Sequence, residues 1–149
     1  MKIEFNKFNE LEGIELYEIL KLRSEVFVVE QECCYNDVDG LDIEAIHMRI
    51  ISDGTLVAYL RIIPIHPNYN ALSLGRVITS MEHRQEGLGK VLLKNAVEYI
   101  VTELKEDVIT ISAQFRLVKF YSEFGFKEQG EIYLEDGIDH IKMIFTKQK

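Results

Sequence analysis

A segment between two regular elements, Arg84 to Gly89, carries the residue types that can hold a phosphate. Its sequence is Arg-Gln-Glu-Gly-Leu-Gly. It follows a strand-like run, Leu72 to Thr79, and leads into an amphipathic run that begins at Leu88. Glycines remove side chains where backbone N–H groups must approach a ligand, and the first turn of a helix adds unpaired donors and a positive dipole end. The segment therefore predicts an anion site that suits a phosphate.

Other glycine-containing phosphate motifs do not fit this chain. The dinucleotide motif G-x-G-x-x-G requires glycine where Leu92 stands, and nothing matches the P-loop pattern G-x-x-x-x-G-K-[ST]. The remaining pattern, Arg/Gln-x-x-Gly-x-Gly/Ala, resembles the pyrophosphate loop of the GCN5-related N-acetyltransferase (GNAT) superfamily, which binds acetyl-CoA there. On these six residues alone, an ordinary strand-to-helix turn explains the glycines equally well, so the rest of the chain must decide.

Hydrophobic periodicity predicts strands and helices on both sides of the segment. An Asp-Gly dipeptide at 53–54 separates two strand-like runs that should pair as a hairpin. Asn9 and Glu12 have the spacing of a capping box at the start of the first helix. The β-branched run 108–113 should lie parallel to the run 72–79, because a helix connects them. The other predicted elements are strands at 3–6, 45–52, 56–64, 127–133 and 140–146 and helices at 88–104 and 118–124. The last two strands flank a second predicted turn, Glu135-Asp136-Gly137.

These elements predict an α/β (α+β) fold with a single mixed β-sheet and helices on both faces, in the order β-α-β-β-β-α-β-α-β-β. A chain of 149 residues without a visible linker should form one domain, 1–149. Its net charge of −8 argues against nucleic acid as a partner. There is no apolar run near the ~20 residues of a membrane helix and no signal-peptide core, so we expect a cytoplasmic protein without membrane association. The two cysteines are adjacent, and no Cys or His spacing suits a metal, so none is expected.

Five further stretches resemble the ElaA-like acyltransferases of the same superfamily. They are Phe-Val-Val-Glu-Gln at 27–31, Asp-Val-Asp-Gly-Leu-Asp at 37–42, Gly-Arg-Val at 75–77, Ser-Ala-Gln at 112–114 and Tyr-Leu-Glu-Asp-Gly-Ile-Asp-His at 133–140. With the order of elements, the resemblance covers the whole chain. It implies the GNAT fold and an acyl-CoA-dependent N-acyltransferase that uses acetyl-CoA as acyl donor. The acceptor would be a primary amine on a small molecule or a peptide, and a homodimer is left open.

The resemblance also implies where acetyl-CoA would lie. Its pantetheine would enter between two splayed strands, near Thr79 and Ser112, and pair with the backbone as an extra strand. Because the whole chain is acidic, the loop amides with Arg84 and Lys90 would have to attract the anionic cofactor. The implied cofactor-binding residues are Val77, Ile78, Thr79, Arg84, Gln85, Glu86, Gly87, Leu88, Gly89, Lys90, Gln114 and Tyr121.

Acyl transfer to an amine needs a proton acceptor, donors for the oxyanion and an acid for the departing thiolate. The implied acid is Tyr121, because its segment, Phe-Tyr-Ser-Glu-Phe-Gly-Phe, looks like the superfamily's tyrosine-bearing helix. By itself, a tyrosine on an apolar helix face is more often part of the core. Its position seven residues after Gln114, where the superfamily commonly has asparagine, favours the catalytic role.

The proton acceptor is less directly implied. Many relatives have an acidic base on the strand before the tyrosine helix, but the corresponding residue here is Ile109. Histidine titrates nearest neutrality, so we favour His140, followed by His47, as the base. A carboxylate, Glu30 or Glu82, is the alternative to both.

An acidic loop from Glu30 to Asp42 resembles family stretches near the acceptor site and would attract an ammonium group. We therefore expect Glu30, Asp39 and Arg76 to contact the substrate. The alternative is that these carboxylates belong to an acidic loop that is only solvated. The alternative function is a catalytically silent domain that binds an acyl-CoA and regulates or scaffolds. The hydroxyl at Tyr121 favours the enzyme, because a pure binding domain would not require it.

Overall fold

The structure, a computed structural model, describes residues 1–148. Over this range the chain forms strands and helices in the order that the sequence predicts, β-α-β-β-β-α-β-α-β-β. Their bounds are β1 Lys2–Lys7, α1 Gly13–Arg23, β2 Ile46–Ser52, β3 Thr55–His66, β4 Ala71–Thr79, α2 Leu88–Thr102, β5 Val108–Gln114, α3 Val118–Ser122, β6 Phe126–Glu135 and β7 Ile138–Thr146. The predicted α/β fold is confirmed.

The strands form two antiparallel ladders in place of one continuous sheet. One has the order β1-β2-β3-β4 and the other β5-β7-β6. They meet where β4 lies beside β5, its neighbour through the α2 connection. We expected β4 and β5 to lie in parallel in one mixed sheet, but they belong to different ladders, because no strand pairing joins them within residues 1–148. This junction is the place where a ligand can enter between strands.

A β-bulge in β4 lies close to this junction. Tyr59 of β3 pairs with Ile78 and Arg61 pairs with Gly75, so two β4 residues, Arg76 and Val77, stand opposite a single β3 residue. Arg76 has a φ of +52°, in the left-handed region. A bulge bends its strand and leaves one residue outside the ladder. The bend in β4 thus falls on the Gly-Arg-Val stretch.

The helices cover the four-stranded ladder from both sides. The consecutive residues Val57 to Leu60 of β3 are all buried, as expected of a strand packed on both faces. Helix α1 packs its apolar residues against Tyr59 and Ile78. The apolar face of α2 packs in the main core through Leu88, Leu92, Leu93, Ala96 and Ile100. This packing fixes the start of α2 relative to the end of β4.

Turns and caps follow the sequence in part. Both predicted hairpin turns are present, with positive φ at Asp53, Gly54, Asp136 and Gly137. The predicted capping box at Asn9 and Glu12 is wrong, because helix α1 begins only at Gly13. The backbone N–H of Glu12 instead donates to the carboxylate three residues further on, 2.8 Å away. No helix within residues 1–148 is long and apolar enough to cross a membrane.

Candidate active site

A cavity of about 570 Å³ opens at the junction between β4 and β5. Its walls come from the β4 bulge, from β5, from the loop after α1 and from the β6–β7 turn. Tyr121 of α3 and Gln114 of β5 line it together with His140 of β7. The structure thus brings three of the residues singled out by the sequence to one place. Val77, Arg76 and Asp39 line the same cavity.

The glycine-containing loop leads directly from β4 into α2. Gln85 and Gly87 have φ values of +74° and +75°, and Gly87 is the N-cap of α2. The first N–H groups of a helix have no intrahelical partner, so the loop offers donors to an anion. Leu88 is buried in the core and anchors the helix start. A Cβ on Gly89 would lie 3.4 Å from the Phe120 ring, an ordinary van der Waals contact, so the start of α2 lies directly against α3.

The basic residues near the loop already have carboxylate partners. Arg84 Nη2 lies 2.6 Å from Glu30 Oε1, and hydrogen bonding to Arg84 lowers the pKa of Glu30. Lys90 Nζ is 3.8 Å from a carboxylate oxygen of Glu123. Glu30, which we expected to contact the substrate, is therefore paired with Arg84 of the glycine-containing loop and does not line the cavity. A phosphate bound here would compete with Glu30 for Arg84.

Replacing Gly87 by valine is expected to raise the Kd for acetyl-CoA by at least about tenfold. A β-branched side chain resists positive φ and would fill the space of a phosphate. Calorimetric titration with acetyl-CoA is the measurement. Gly54→Val is the matched control, since Gly54 has a φ of +76° and, like Gly87, no atom within 4 Å of an added Cβ. Both variants should lose similar stability, but only Gly87→Val should lose affinity. Equal affinities in the two folded variants would remove the loop from the site.

Tyr121 lines the cavity with 7% of its surface exposed. Its ring packs edge-on against Phe120 and Phe126, at centroid distances of 5.3 and 5.8 Å. Burial raises the pKa of Tyr121 to about 12, so the hydroxyl keeps its proton near neutral pH. A buried but accessible hydroxyl that stays protonated can act as a proton donor. Gln114 is held at the same wall by a hydrogen bond from Arg116 Nε to its Oε1, 3.1 Å long.

His140 lies in a row of polar groups that spans three strands. It pairs with Gln114 on one side and with Tyr133 on the other. Its Nδ1 is 2.7 Å from the Ile138 carbonyl oxygen, which assigns the proton to Nδ1. Its Nε2 is 3.3 Å from Glu135 Oε2. His140 is thus oriented by the backbone at one nitrogen and faces a carboxylate at the other.

His47, our second choice as base, is placed elsewhere. It is fully buried on β2, with Nδ1 2.6 Å from the Tyr59 hydroxyl and Nε2 2.9 Å from the Asp42 carbonyl oxygen. Burial lowers the pKa of His47. It does not line the cavity. Because both ring nitrogens have partners, the ring fastens the end of the acidic loop to β2 and β3.

The aspartates of the acidic loop are paired with arginines from three elements. Arg23 of α1, which is fully buried, donates to Asp37 at 2.9 Å and to Asp42 at 2.6 Å. Arg61 of β3 donates to Asp42 at 3.0 Å and also binds Asp39. Burial opposes ionisation of Asp42, but the hydrogen bond and charge of Arg23, with those of Arg61, outweigh it and lower its pKa. The three carboxylates are therefore neutralised and hold the loop against the fold.

Arg76 joins this network to the β4 bulge. Its Nε donates to Asp37 Oδ1 at 2.8 Å, and its guanidinium lies between the rings of Phe27 and Tyr35, 5.8 and 5.7 Å from their centroids. Asp39 is also 3.4 Å from Arg76. Arg76 and Asp39 do line the cavity, as expected of substrate-contacting residues. Both side chains, however, already form ion pairs: Arg76 with Asp37 and Asp39 of the acidic loop, and Asp39 with Arg76 and Arg61.

The sequence assigned no role to Glu135 and Ser112, although both lie in stretches that resemble the ElaA-like acyltransferases. Glu135 and Ser112 face each other at 3.2 Å, and the Ser112 hydroxyl is also hydrogen-bonded to Tyr133. The turn at Asp136-Gly137 could have indicated this arrangement, because a two-residue turn sets the register that places Tyr133 opposite His140. Within residues 1–148, no group of three or more His, Cys, Asp or Glu side chains is arranged to hold a metal ion.

Comparison with known proteins gives a consistent result over nearly the whole chain. Residues 24–147 match the model of the acetyltransferase (GNAT) domain. The UPF0039 protein sll0451 of Synechocystis is 42% identical over 142 residues, which are 95% of this chain and 92% of that protein. The crystal structure of an acyl-CoA N-acyltransferase from Pseudomonas aeruginosa is similar with a TM-score of 0.91 and 37% identity, over 98% of this chain and 100% of that one. The crystal structure of Escherichia coli ElaA is similar with a TM-score of 0.89 and 36% identity, over 97% and 98%. The chain therefore belongs to the GNAT acetyltransferase family, and the resemblance to its ElaA-like members that the sequence predicts is confirmed.

Proposed function

We propose that this protein transfers the acetyl group of acetyl-CoA to a primary amine on a small molecule or a peptide. The observation that carries the proposal is the cavity between β4 and β5, which has Tyr121, Gln114 and His140 on its walls. The family membership and the similarity to an acyl-CoA N-acyltransferase support it. The residues of the loop fit an anionic cofactor, since Gly87 leaves the space above the α2 N-terminus open.

We assign the donor side of the cavity to β4, α2 and β5. The backbone from Val77 to Thr79 would pair with the pantetheine, and the loop from Arg84 to Lys90 would bind the pyrophosphate. The bulge in β4 supports this assignment, because a bulge leaves backbone donors outside the ladder. A freed N–H of the bulge would hydrogen-bond the oxyanion that forms on the thioester carbonyl.

We assign proton transfer to His140 and Tyr121 on opposite sides of the reacting carbonyl. His140 would take a proton from the acceptor nitrogen, which frees its lone pair for attack on the carbonyl carbon. Tyr121 would protonate the sulfur as the C–S bond breaks. Its high pKa makes the hydroxyl a weak acid relative to a thiol, so we expect sulfur protonation to coincide with return of a proton from the new amide nitrogen to Tyr121.

An acceptor panel tests this function. Acetyl-CoA is mixed with amines, alcohols and acidic compounds, and free CoA is measured over time. Because the chain carries a net charge of −8, amines that are cationic at neutral pH should react fastest, and their advantage should shrink as salt screens the field. Faster reaction of alcohols or acidic acceptors would contradict the acceptor class. Binding of acetyl-CoA without release of CoA with any acceptor would favour the silent binding domain.

A further inference from the structure

We propose that Glu135 binds the ammonium group of the acceptor and, together with His140, takes up the first proton that this group loses. This inference rests on the proposed function and refines it, since it moves acceptor recognition from the acidic loop to the β6–β7 hairpin. It concerns a residue to which the sequence pattern assigned no role.

The distribution of charge around the cavity indicates that an ammonium group would bind at the β6–β7 hairpin. The three aspartates of the acidic loop share hydrogen bonds and ion pairs with three arginines, Arg23, Arg61 and Arg76, so these aspartates offer no free negative charge to the cavity. The other carboxylates that line the cavity are those of Glu135 and Asp136. An ammonium group that enters the cavity therefore meets its nearest counter-charge at the end of β6.

Glu135 is both held in place and accessible. One carboxylate oxygen accepts a hydrogen bond from the Ser112 hydroxyl at 3.2 Å, and the other lies 3.3 Å from His140 Nε2. About half of its side chain, 47%, is still exposed to the cavity and solvent. The Ser112 hydroxyl therefore holds the carboxylate before a ligand arrives, which favours binding. Because the His140 proton lies on Nδ1, Nε2 faces the other carboxylate oxygen with its lone pair, and a proton taken from the acceptor can lie between them.

The hairpin register places the pair on the face that carries the other proposed catalytic groups. Glu135 pairs with Ile138 and Tyr133 pairs with His140, so side chains of Glu135 and His140 lie diagonally on one face of the ladder. His140 in turn pairs with Gln114 at the end of β5, and both line the cavity with Tyr121. A nitrogen bound at Glu135 thus lies beside His140, in the cavity that Tyr121 also lines.

The bound ammonium gives one proton to the Glu135–His140 pair, and the freed lone pair forms the C–N bond with the thioester carbonyl carbon. The C–S bond then breaks with its electron pair moving to sulfur. Tyr121 gives its proton to the sulfur and regains one from the nitrogen. The products are an amide, free CoA and one proton, which leaves to solvent from the exposed carboxylate of Glu135.

The test compares Glu135→Gln with the wild-type protein on two acceptors. The first is the primary alkylamine that the wild-type protein acetylates best, and the second is 2,2,2-trifluoroethylamine, whose three β-fluorines leave the amine largely neutral near pH 7. For the alkylamine we expect kcat/KM to fall by about 10²-fold and KM for the amine to rise, because the charge partner and the proton acceptor are lost. For the fluorinated amine we expect a fall below about tenfold, because that amine needs neither an ammonium site nor a strong base. Acetyl-CoA affinity should not change.

Asp139→Asn is the matched control. Asp139 precedes His140 on β7, so it points to the opposite face, and it is exposed and does not line the cavity. The control removes the same charge from the same hairpin and should leave both acceptors unaffected. Equal losses on both acceptors in Glu135→Gln, or undiminished activity, would overturn the role of Glu135 while the acyl transfer of the wild-type protein still stands. If the wild-type protein acetylates no amine at all, the proposed function itself fails.

Discussion

Replacing Tyr121 by phenylalanine is expected to lower kcat by ~10²–10⁴-fold, the usual contribution of a positioned general acid. Phenylalanine keeps the ring that packs against Phe120 and Phe126, so the fold and the cavity walls should persist. The proton that the departing thiolate requires is lost. Because the change affects a transition-state interaction, Kd for acetyl-CoA should change little.

The measurement is single-turnover acetyl transfer, with acetyl-CoA affinity determined by calorimetry on the same preparations. Tyr99→Phe serves as the matched control, because Tyr99 lies on α2, stacks on Phe5 at 4.0 Å and does not line the cavity. It should retain wild-type turnover. A Tyr121→Phe variant with turnover equal to that of the control would show that the acid is another group.

The second large effect is on stability. Asp42→Ala is expected to lower the free energy of unfolding by about 3–5 kcal/mol, since it leaves two buried guanidinium groups without their shared carboxylate. Arg23 is 0% and Arg61 is 3% exposed, so water does not compensate the loss. Urea unfolding followed by circular dichroism measures the change. Asp107→Ala, at an exposed position, should cost less than about 0.5 kcal/mol.

Asp42→Ala should also change how the stability of the protein depends on pH. The pKa of Asp42 is lower in the folded than in the unfolded chain, so its contribution is present above the unfolded value and is lost as the pH falls through the folded value. Wild-type stability should therefore drop more steeply with acidification than the stability of Asp42→Ala. A loss no larger than that of Asp107→Ala, with parallel acid profiles, would mean that the arginine network is stabilised without Asp42.

Local sequence patterns predicted much of the fold. Period-two and helical spacing located every strand and the long helix, and the dipeptides at 53–54 and 136–137 located two hairpin turns. Those features depend on neighbours in sequence, where steric and packing rules act directly. The first helix began later than predicted because a glutamate side chain, and not Asn9, satisfies the backbone at its start.

Local sequence patterns predicted only part of the candidate active site. Residues in recognisable stretches, such as Tyr121 and His140, lie in one cavity. The partners of the acidic loop come from α1, β3 and β4, as many as 39 residues away in sequence, and no local pattern indicates that Asp37 meets Arg76. His47 was chosen as a titratable group near acidic residues, whereas the structure places it in the core. Burial of this kind depends on tertiary packing, which spacing along the chain does not reveal.

The most direct test of the account follows the acetyl group itself. Acetyl-CoA labelled with carbon-13 in the acetyl group is incubated with the protein and the best primary amine of the panel, and products are identified by mass spectrometry. We expect the label in an amide of the amine, formed in equal amount to free CoA and strongly reduced with Gly87→Val when acetyl-CoA is kept below the wild-type Kd. Label recovered only as acetate, or retained in intact acetyl-CoA with every amine tested, would contradict acyl transfer and leave thioester hydrolysis or silent binding.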